Sequence, residues 1–225
     1  QDTSSEQPLN KSETVPWRAA MSQTAPMIIL GVPGIGKTIA LLQETATRCA
    51  KGLNALASSK EITAAFYFHA NQVAGLLVAS RAGLLHVAVK LISERHGPLS
   101  DAVQSWLQAS FRSGRISLLI DGLDEVASLP SDPTDRRAAL LTQLATMAKV
   151  SNGCPVILSS RVSGYPGAVL SQSEEWQLAP FKAPQIRKTI KGWLLEYPEA
   201  AEKLCKSIPR VLPLAEILSN PLLLM

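Results

Sequence analysis

Residues Gly31-Val32-Pro33-Gly34-Ile35-Gly36-Lys37-Thr38 follow the pattern G-x-x-x-x-G-K-[ST], which constrains the chain more than any other stretch. The pattern belongs between a strand and a helix, with an anion held in the turn. Met27-Ile28-Ile29-Leu30 is a short apolar run that suits a buried strand. Behind the turn, Ile39, Leu42, Ala46 and Cys49 recur at helical spacing, with Gly52 as the expected stop. Glycines let the backbone curl so that successive N–H groups converge on a phosphate. A helix beginning near Gly36 adds the positive end of its dipole. Gly31 to Thr38 are therefore the expected nucleotide-binding residues. Lys37 is expected to reach the β- and γ-phosphates, and the Thr38 hydroxyl to complete a Mg²⁺ shell.

Such a loop needs an acid at the end of another strand to hold the metal. Leu118-Leu119-Ile120-Asp121-Gly122-Leu123-Asp124-Glu125 supplies it. Asp121 is expected to end the strand and project toward a ligand at the sheet's carboxyl edge. Gly122 is expected to leave space beside the metal, and Asp124 or Glu125 to orient or deprotonate an attacking water. A third strand end, Ser159-Ser160-Arg161, places a cation where it would sense or stabilise a γ-phosphate. Guanine specificity usually needs an Asn-Lys-x-Asp element after the loop. The nearest match, Asn10-Lys11-Ser12-Glu13, precedes it and ends in Glu, so adenine is expected.

Periodicity organises the rest of the chain. Strands are expected at Ile62–His69, Ser117–Ile120, Pro155–Ser159 and Glu175–Leu178, besides the first. Helices are expected from about Gly83 to Arg95 and from about Leu99 to Arg112. The second would carry Val103, Trp106, Leu107 and Ser110 or Phe111 on one face, with Gly114 after it. Another runs over Asp135–Val150, with a stripe of Leu140, Leu141, Leu144, Met147 and Ala148. From Lys182 the pattern is helical, broken at Pro198, Pro209 and Pro213. The fold class is α/β: a mainly parallel five-stranded sheet with helices on both faces, followed by the start of a small helical subdomain. Residues 1–23 read as a polar leader or linker on which Trp17 and Met21 could dock against the core. Residues 24–180 form the core and 181–225 the helical part. The chain opens without Met and stops inside the apolar run Leu222–Met225, so a piece of a longer protein is expected.

Composition removes several classes. With 46% hydrophobic and 18% charged residues, disorder is excluded for most of the chain. Cys49, Cys154 and Cys205 are few and odd in number, which argues against a disulfide scaffold and for a reducing, cytoplasmic compartment. They read as core packing, Cys49 and Cys154 especially. The net charge of +4 is concentrated between Lys182 and Arg210, where seven Lys/Arg face three Glu. That bias reads as the solvated side of helices rather than as a nucleic-acid face. No secretory signal is visible. The longest apolar stretch, Ala74–Ile92, carries Arg81, His86 and Lys90, which suits no membrane span. His69, His86 and His96 are too far apart for a zinc site, and Ser159, Ser160 and Ser163 have no obvious base nearby.

Four pieces together resemble a NACHT domain of the STAND class of signalling P-loop NTPases. They are Gly31–Thr38, Asp121-Gly122-Leu123-Asp124-Glu125, Ser159-Ser160-Arg161, and Trp176-Gln177-Leu178-Ala179-Pro180-Phe181 with the later Asn220-Pro221-Leu222-Leu223-Leu224. The resemblance covers roughly Met27 to Met225. It implies an ASCE core, in which another strand separates the P-loop strand from the Asp121 strand. It implies ATP and ADP with Mg²⁺, slow hydrolysis, and a switch closed with ADP and oligomeric with ATP, in immunity, antiviral defence or programmed death. By matching position, Lys37 and Thr38 bind phosphate and metal, Asp121 holds Mg²⁺, Asp124 or Glu125 activates water, Arg161 senses the γ-phosphate, and Pro221 approaches the base or ribose. Winged-helix, sensor and effector regions would lie outside these residues. Two rivals stand beside the switch: an AAA+-like mechanochemical ATPase, and a module that holds ATP without hydrolysing it.

Overall fold

The computed structural model describes residues 14–21, 26–58, 61–127, 135–150, 156–165, 167, 170, 173–207 and 219–221. Five strands form one sheet: β1 Met27–Leu30, β2 Ala64–His69, β3 Ile116–Asp121, β4 Val156–Ser160 and β5 Glu174–Gln177. Their order is β2-β3-β4-β1-β5, and every pairing is parallel. β4 thus separates the P-loop strand β1 from β3, which ends in Asp121. All the carboxyl ends lie on one edge.

Parallel strands are covered on both faces, and side chains alternate between the two. Ile28, Phe68, Leu118, Ile120, Val156 and Leu158 face one core, filled by helices α3 Ala70–Ser80, α4 Leu84–His96, α5 Asp101–Arg112 and α6 Arg136–Val150. Met27, Ile29, Ala65, Leu119 and Ile157 face the other, under α1 Trp17–Ala20 and α2 Lys37–Ala57. Trp17 and Met21 pack into this second core as expected. A separate cluster joins α7 Ala183–Trp193 to α8 Pro198–Ser207: Ile186 and Ile190 meet Ala201 and Cys205, each pair one helical turn apart.

Two expectations for α2 fail. Gly52 does not stop the helix, which continues to Ala57. Of the four apolar residues at helical spacing, Ile39, Leu42 and Ala46 face outward, with Ile39 48% and Leu42 42% exposed, and Cys49 alone packs against the second core. The buried positions are Leu41, Glu44 and Gly52. Their face carries a polar network in place of an apolar stripe. Arg48 Nε pairs with Glu44 Oε1 at 2.7 Å, and its terminal nitrogens donate to Ser117 Oγ and the Met21 carbonyl. Trp17 Nε1 donates to Glu44 Oε2 at 3.3 Å. Helix α3 has no counterpart in the sequence reading. It ends at Arg81, whose φ of +51° is left-handed, and α4 leaves it at 113°. Val103 of α5 is exposed, while Leu107, Ser110 and Phe111 are buried. In α6, Leu140 and Leu144 are buried and Leu141 and Met147 partly so. Expectations for residues 1–13, the Ala148 side chain, Cys154, Pro209, Pro213 and residues 222–225 lie outside the described residues. Among the described residues no single helix is long and apolar enough to cross a membrane.

Gly52 sits where α2 crosses the chain before β2. A Cβ there would stand 2.0 Å from the Thr63 carbonyl oxygen. Gly52→Ala should therefore lower stability by about 1–3 kcal/mol, the usual cost of overpacking. Gly75→Ala in α3, with open space around its added Cβ, should raise stability by roughly 0.5–1 kcal/mol. Urea midpoints of the two variants check this; equal shifts would contradict it.

Candidate nucleotide and metal site

The glycine-rich turn closes between β1 and α2. Gly36, at φ +96°, is the N-cap of the 21-residue helix α2 and offers no side-chain acceptor to its first turn. Only a residue without Cβ takes that backbone comfortably, and the uncapped N–H groups at the helix start are a ready anion site. Lys37 Nζ reaches back over the turn and donates to the carbonyls of Gly31 at 2.8 Å and Val32 at 3.2 Å. Burial lowers the Lys37 pKa. Asp124, Asp121 and Glu125 push it up again, and Arg161 pushes it further down. The charged candidates from three strand ends thus share one electrostatic neighbourhood.

Asp121 ends β3 and is 7% exposed. Three hydroxyls hold its carboxylate. Thr38 Oγ1 donates to Oδ2 at 2.6 Å, and the Tyr67 hydroxyl donates to the same oxygen at 2.9 Å. Ser159 Oγ donates to Oδ1 and accepts from the Gly122 N–H at 2.9 Å. Burial raises the Tyr67 pKa, as do the Asp121 charge and its hydrogen bond. The Thr38 hydroxyl and the Asp121 carboxylate are hard oxygen donors side by side, the donor set that suits Mg²⁺. The residues present fit the ion.

Beyond Asp121 the chain turns at Gly122, φ +82°, into a short 3₁₀ turn over Leu123–Glu125. The space beside Gly122 belongs to Glu125: an added Cβ would lie 3.1 Å from the Glu125 carboxyl carbon. The expected gap for a metal is therefore filled by a carboxylate. Asp124 is engaged. Its Oδ2 pairs with Arg161 Nε at 2.9 Å, and its Oδ1 accepts from the Arg161 N–H at 2.9 Å. Glu125 is exposed, and among the described residues no ion pair holds it. Pro221 comes within reach of the P-loop, 3.8 Å from where a Cβ on Gly36 would stand, and Asn220 Nδ2 donates to the Pro33 carbonyl at 3.1 Å.

The structure therefore brings together Gly31 to Thr38, Asp121, Asp124, Glu125, Arg161 and Pro221. Sequence reasoning missed Tyr67 and Arg137. Tyr67 lies in an alternating strand with no motif around it. The Arg137 guanidinium donates to the main-chain carbonyls of Asp124, Val126 and Gly164, a role that no sequence pattern announces.

A family model described as NACHT domain matches residues 25–197. The chain belongs to the NACHT family. As a NACHT domain it is a nucleotide-binding P-loop module. No curated protein matches it. Solved structures similar to this NACHT domain include a STAND protein with a tetratricopeptide repeat sensor from Pyrococcus horikoshii, at 16% identity and TM-score 0.44, covering 96% of this chain and 30% of that one. The AAA domain of FIGL-1 in complex with ADP aligns at 12% identity and TM-score 0.46, over 83% of this chain and 56% of that one. AMPPCP-bound DnaA from Aquifex aeolicus aligns at 17% identity and TM-score 0.44, over 84% and 53%. The NACHT chain thus spans about a third to a little over half of these proteins' lengths.

Ser159 is fully buried. Ser159→Ala would leave the Gly122 N–H and one Asp121 oxygen short of a partner, at a cost of about 1–3 kcal/mol. The expected result is a lower urea midpoint with an unchanged m-value. An unchanged midpoint would mean that water replaces both contacts.

Proposed function

We propose that this NACHT domain binds ATP and ADP with Mg²⁺, hydrolyses ATP slowly, and serves as a nucleotide-controlled signalling switch. The pairing of Arg161 with Asp124 carries the reading. Arg161 stands at the carboxyl end of β4 and is 47% exposed on its side chain, while Asp124 is 10% exposed. A half-exposed ion pair of this kind is worth about 1 kcal/mol or less. A γ-phosphate, which accepts stronger charge-assisted bonds, competes with Asp124 for the same guanidinium. Arg161 turns to the phosphate when ATP is bound and returns to Asp124 when ADP remains. The turns after β3 and β4 register the difference.

In this reading the P-loop N–H groups and Lys37 hold the β- and γ-phosphates. Thr38 and Asp121 hold Mg²⁺, which when bound neutralises charge on the phosphate oxygens. Glu125 takes the proton of the attacking water: it is exposed, and among the described residues no ion pair holds it. Pro221 closes on the base or ribose. Residues 24–180 act as the switch core, preceded by a linker over 1–23, and 181–225 begin the helical subdomain that transmits the nucleotide state. In the longer protein the ATP form self-associates in the cytoplasm, joined to sensor and effector regions, in immunity, antiviral defence or programmed death. The family membership and the four motifs support that setting.

Four measurements test the reading. Denaturing the purified chain and separating any released nucleotide should give near-stoichiometric ADP; a guanine nucleotide would overturn the base assignment. Lys37→Ala should weaken binding of labelled ATP, because a phosphate charge loses its cation; an unchanged titration would sink the site. Glu125→Gln should keep binding and slow hydrolysis by ~10²-fold or more, the scale for losing a general base. If Asp124→Asn has that effect and Glu125→Gln does not, the two acids exchange roles. Turnover rising steeply with protein concentration would favour a motor.

A further inference from the structure

Tyr67 belongs to none of the motifs, yet it touches the carboxylate on which the metal site turns. An ionised carboxylate has about four lone-pair sites, two on each oxygen. At Asp121 the hydroxyls of Thr38 and Tyr67 take both sites of Oδ2, and Ser159 takes one site of Oδ1. Among the described residues one acceptor site is left, on Oδ1. Without Tyr67, one site on Oδ2 would open and the carboxylate would be held by Thr38 and Ser159 alone, one hydroxyl on each oxygen.

The Tyr67 side chain is itself held. β2 alternates so that Ala65 and Tyr67 face the α2 core, while Phe66 and Phe68 face the opposite one. The Tyr67 ring meets His69 edge-on at 5.3 Å. Arg95 Nη1 donates to the Tyr67 carbonyl at 3.2 Å, and its guanidinium lies 5.6 Å over the Phe68 ring. A hydroxyl fixed on this strand aims at a carboxylate on the next, where His69 and Asp121 are register partners.

We propose that Tyr67 is a positioning residue for the metal. By filling the second site on Oδ2, it orients Asp121 so that the remaining acceptor on Oδ1 is the one offered to Mg²⁺ or to a water of its shell. The inference rests on the nucleotide reading above and adds a residue to it. Hydrogen-bond partners of metal ligands typically set metal affinity by 10–100-fold, so the effect of losing this hydroxyl belongs to Mg²⁺ and not to the nucleotide alone.

The test uses the whole chain and a fluorescent ADP, titrated in EDTA and then against Mg²⁺, for wild type and Tyr67→Phe. The substitution removes one oxygen from a half-buried ring, and a urea midpoint confirms that the variant is folded. The expected result is an affinity in EDTA within about twofold of wild type, with the half-saturating Mg²⁺ concentration raised about tenfold or more. Superimposable Mg²⁺ curves would overturn the proposal. So would a loss of affinity equal in EDTA and in Mg²⁺, which marks a merely structural contact. If wild type binds no nucleotide in either condition, the nucleotide reading itself fails and carries this inference with it. That outcome differs from a Mg²⁺-responsive wild type matched by its variant.

Discussion

A carboxylate buried at the end of a central strand is costly unless its charge is hydrogen-bonded, and the architecture around Asp121 answers that requirement. β3 lies between β2 and β4, and each neighbour lends one hydroxyl, Tyr67 from β2 and Ser159 from β4. The third, Thr38, arrives from α2, which starts where β1 ends on the far side of β4. Strand order, register and the P-loop turn thus converge on two oxygen atoms. Shifting β2 or β4 by one residue would send its hydroxyl to the opposite face of the sheet. The parallel register is specified by polar chemistry at the edge as well as by apolar alternation in the middle.

The two faces of the sheet are covered by different means. The face under α3 to α6 is filled by a continuous cluster of aliphatic and aromatic side chains. The face under α2 has a smaller apolar cluster, and the helix lies close enough that Gly52 meets the chain at Thr63. Beside that contact the buried Glu44–Arg48 pair reaches Trp17, Met21 and Ser117. Removing one partner of a buried pair leaves the other uncompensated, which typically costs 3–5 kcal/mol. The network therefore ties the segment before β1 to the same helix that positions Lys37 and Thr38. The strand, the turn and the helix of the P-loop are braced from behind by a short piece of chain that carries no motif.

The legible parts of this molecule are those where chemistry forces residue types into a short window. The P-loop, the acid ending β3 and the cation ending β4 each occupy a few consecutive positions, so their spacing is visible, and β1 to β4 appear as largely apolar runs, while β5, Glu-Glu-Trp-Gln, does not. What escaped is what depends on the third dimension. Ile39, Leu42, Ala46 and Cys49 make an apolar series, but of the four only Cys49 packs against the core, and α2 turns a face bearing Glu44 and Arg48 inward because those two satisfy each other and their neighbours. Helix α3 is apolar almost throughout, so its sequence has little contrast from which to read a face. Tyr67 is one aromatic residue among several in β2. Only the fold, which pairs His69 with Asp121, reveals that its hydroxyl reaches the Asp121 carboxylate.

The same dependence on packing governs the acidic turn. Asp124 and Glu125 are adjacent and chemically alike, and nothing in the sequence separates their roles. The fold does. Asp124 is clamped by Arg161 on one side and faces Gly164 on the other, where even a Cβ would stand 2.6 Å from its own Cβ. Arg137, from α6, holds the carbonyls of Asp124, Val126 and Gly164 together. The turn after β3 and the turn after β4 are therefore one unit, stapled from the face opposite α2. Within that unit Asp124 has little freedom, while Glu125 extends from it into solvent beside Gly122. The geometry thus gives two like acids different surroundings, one paired and packed, the other exposed.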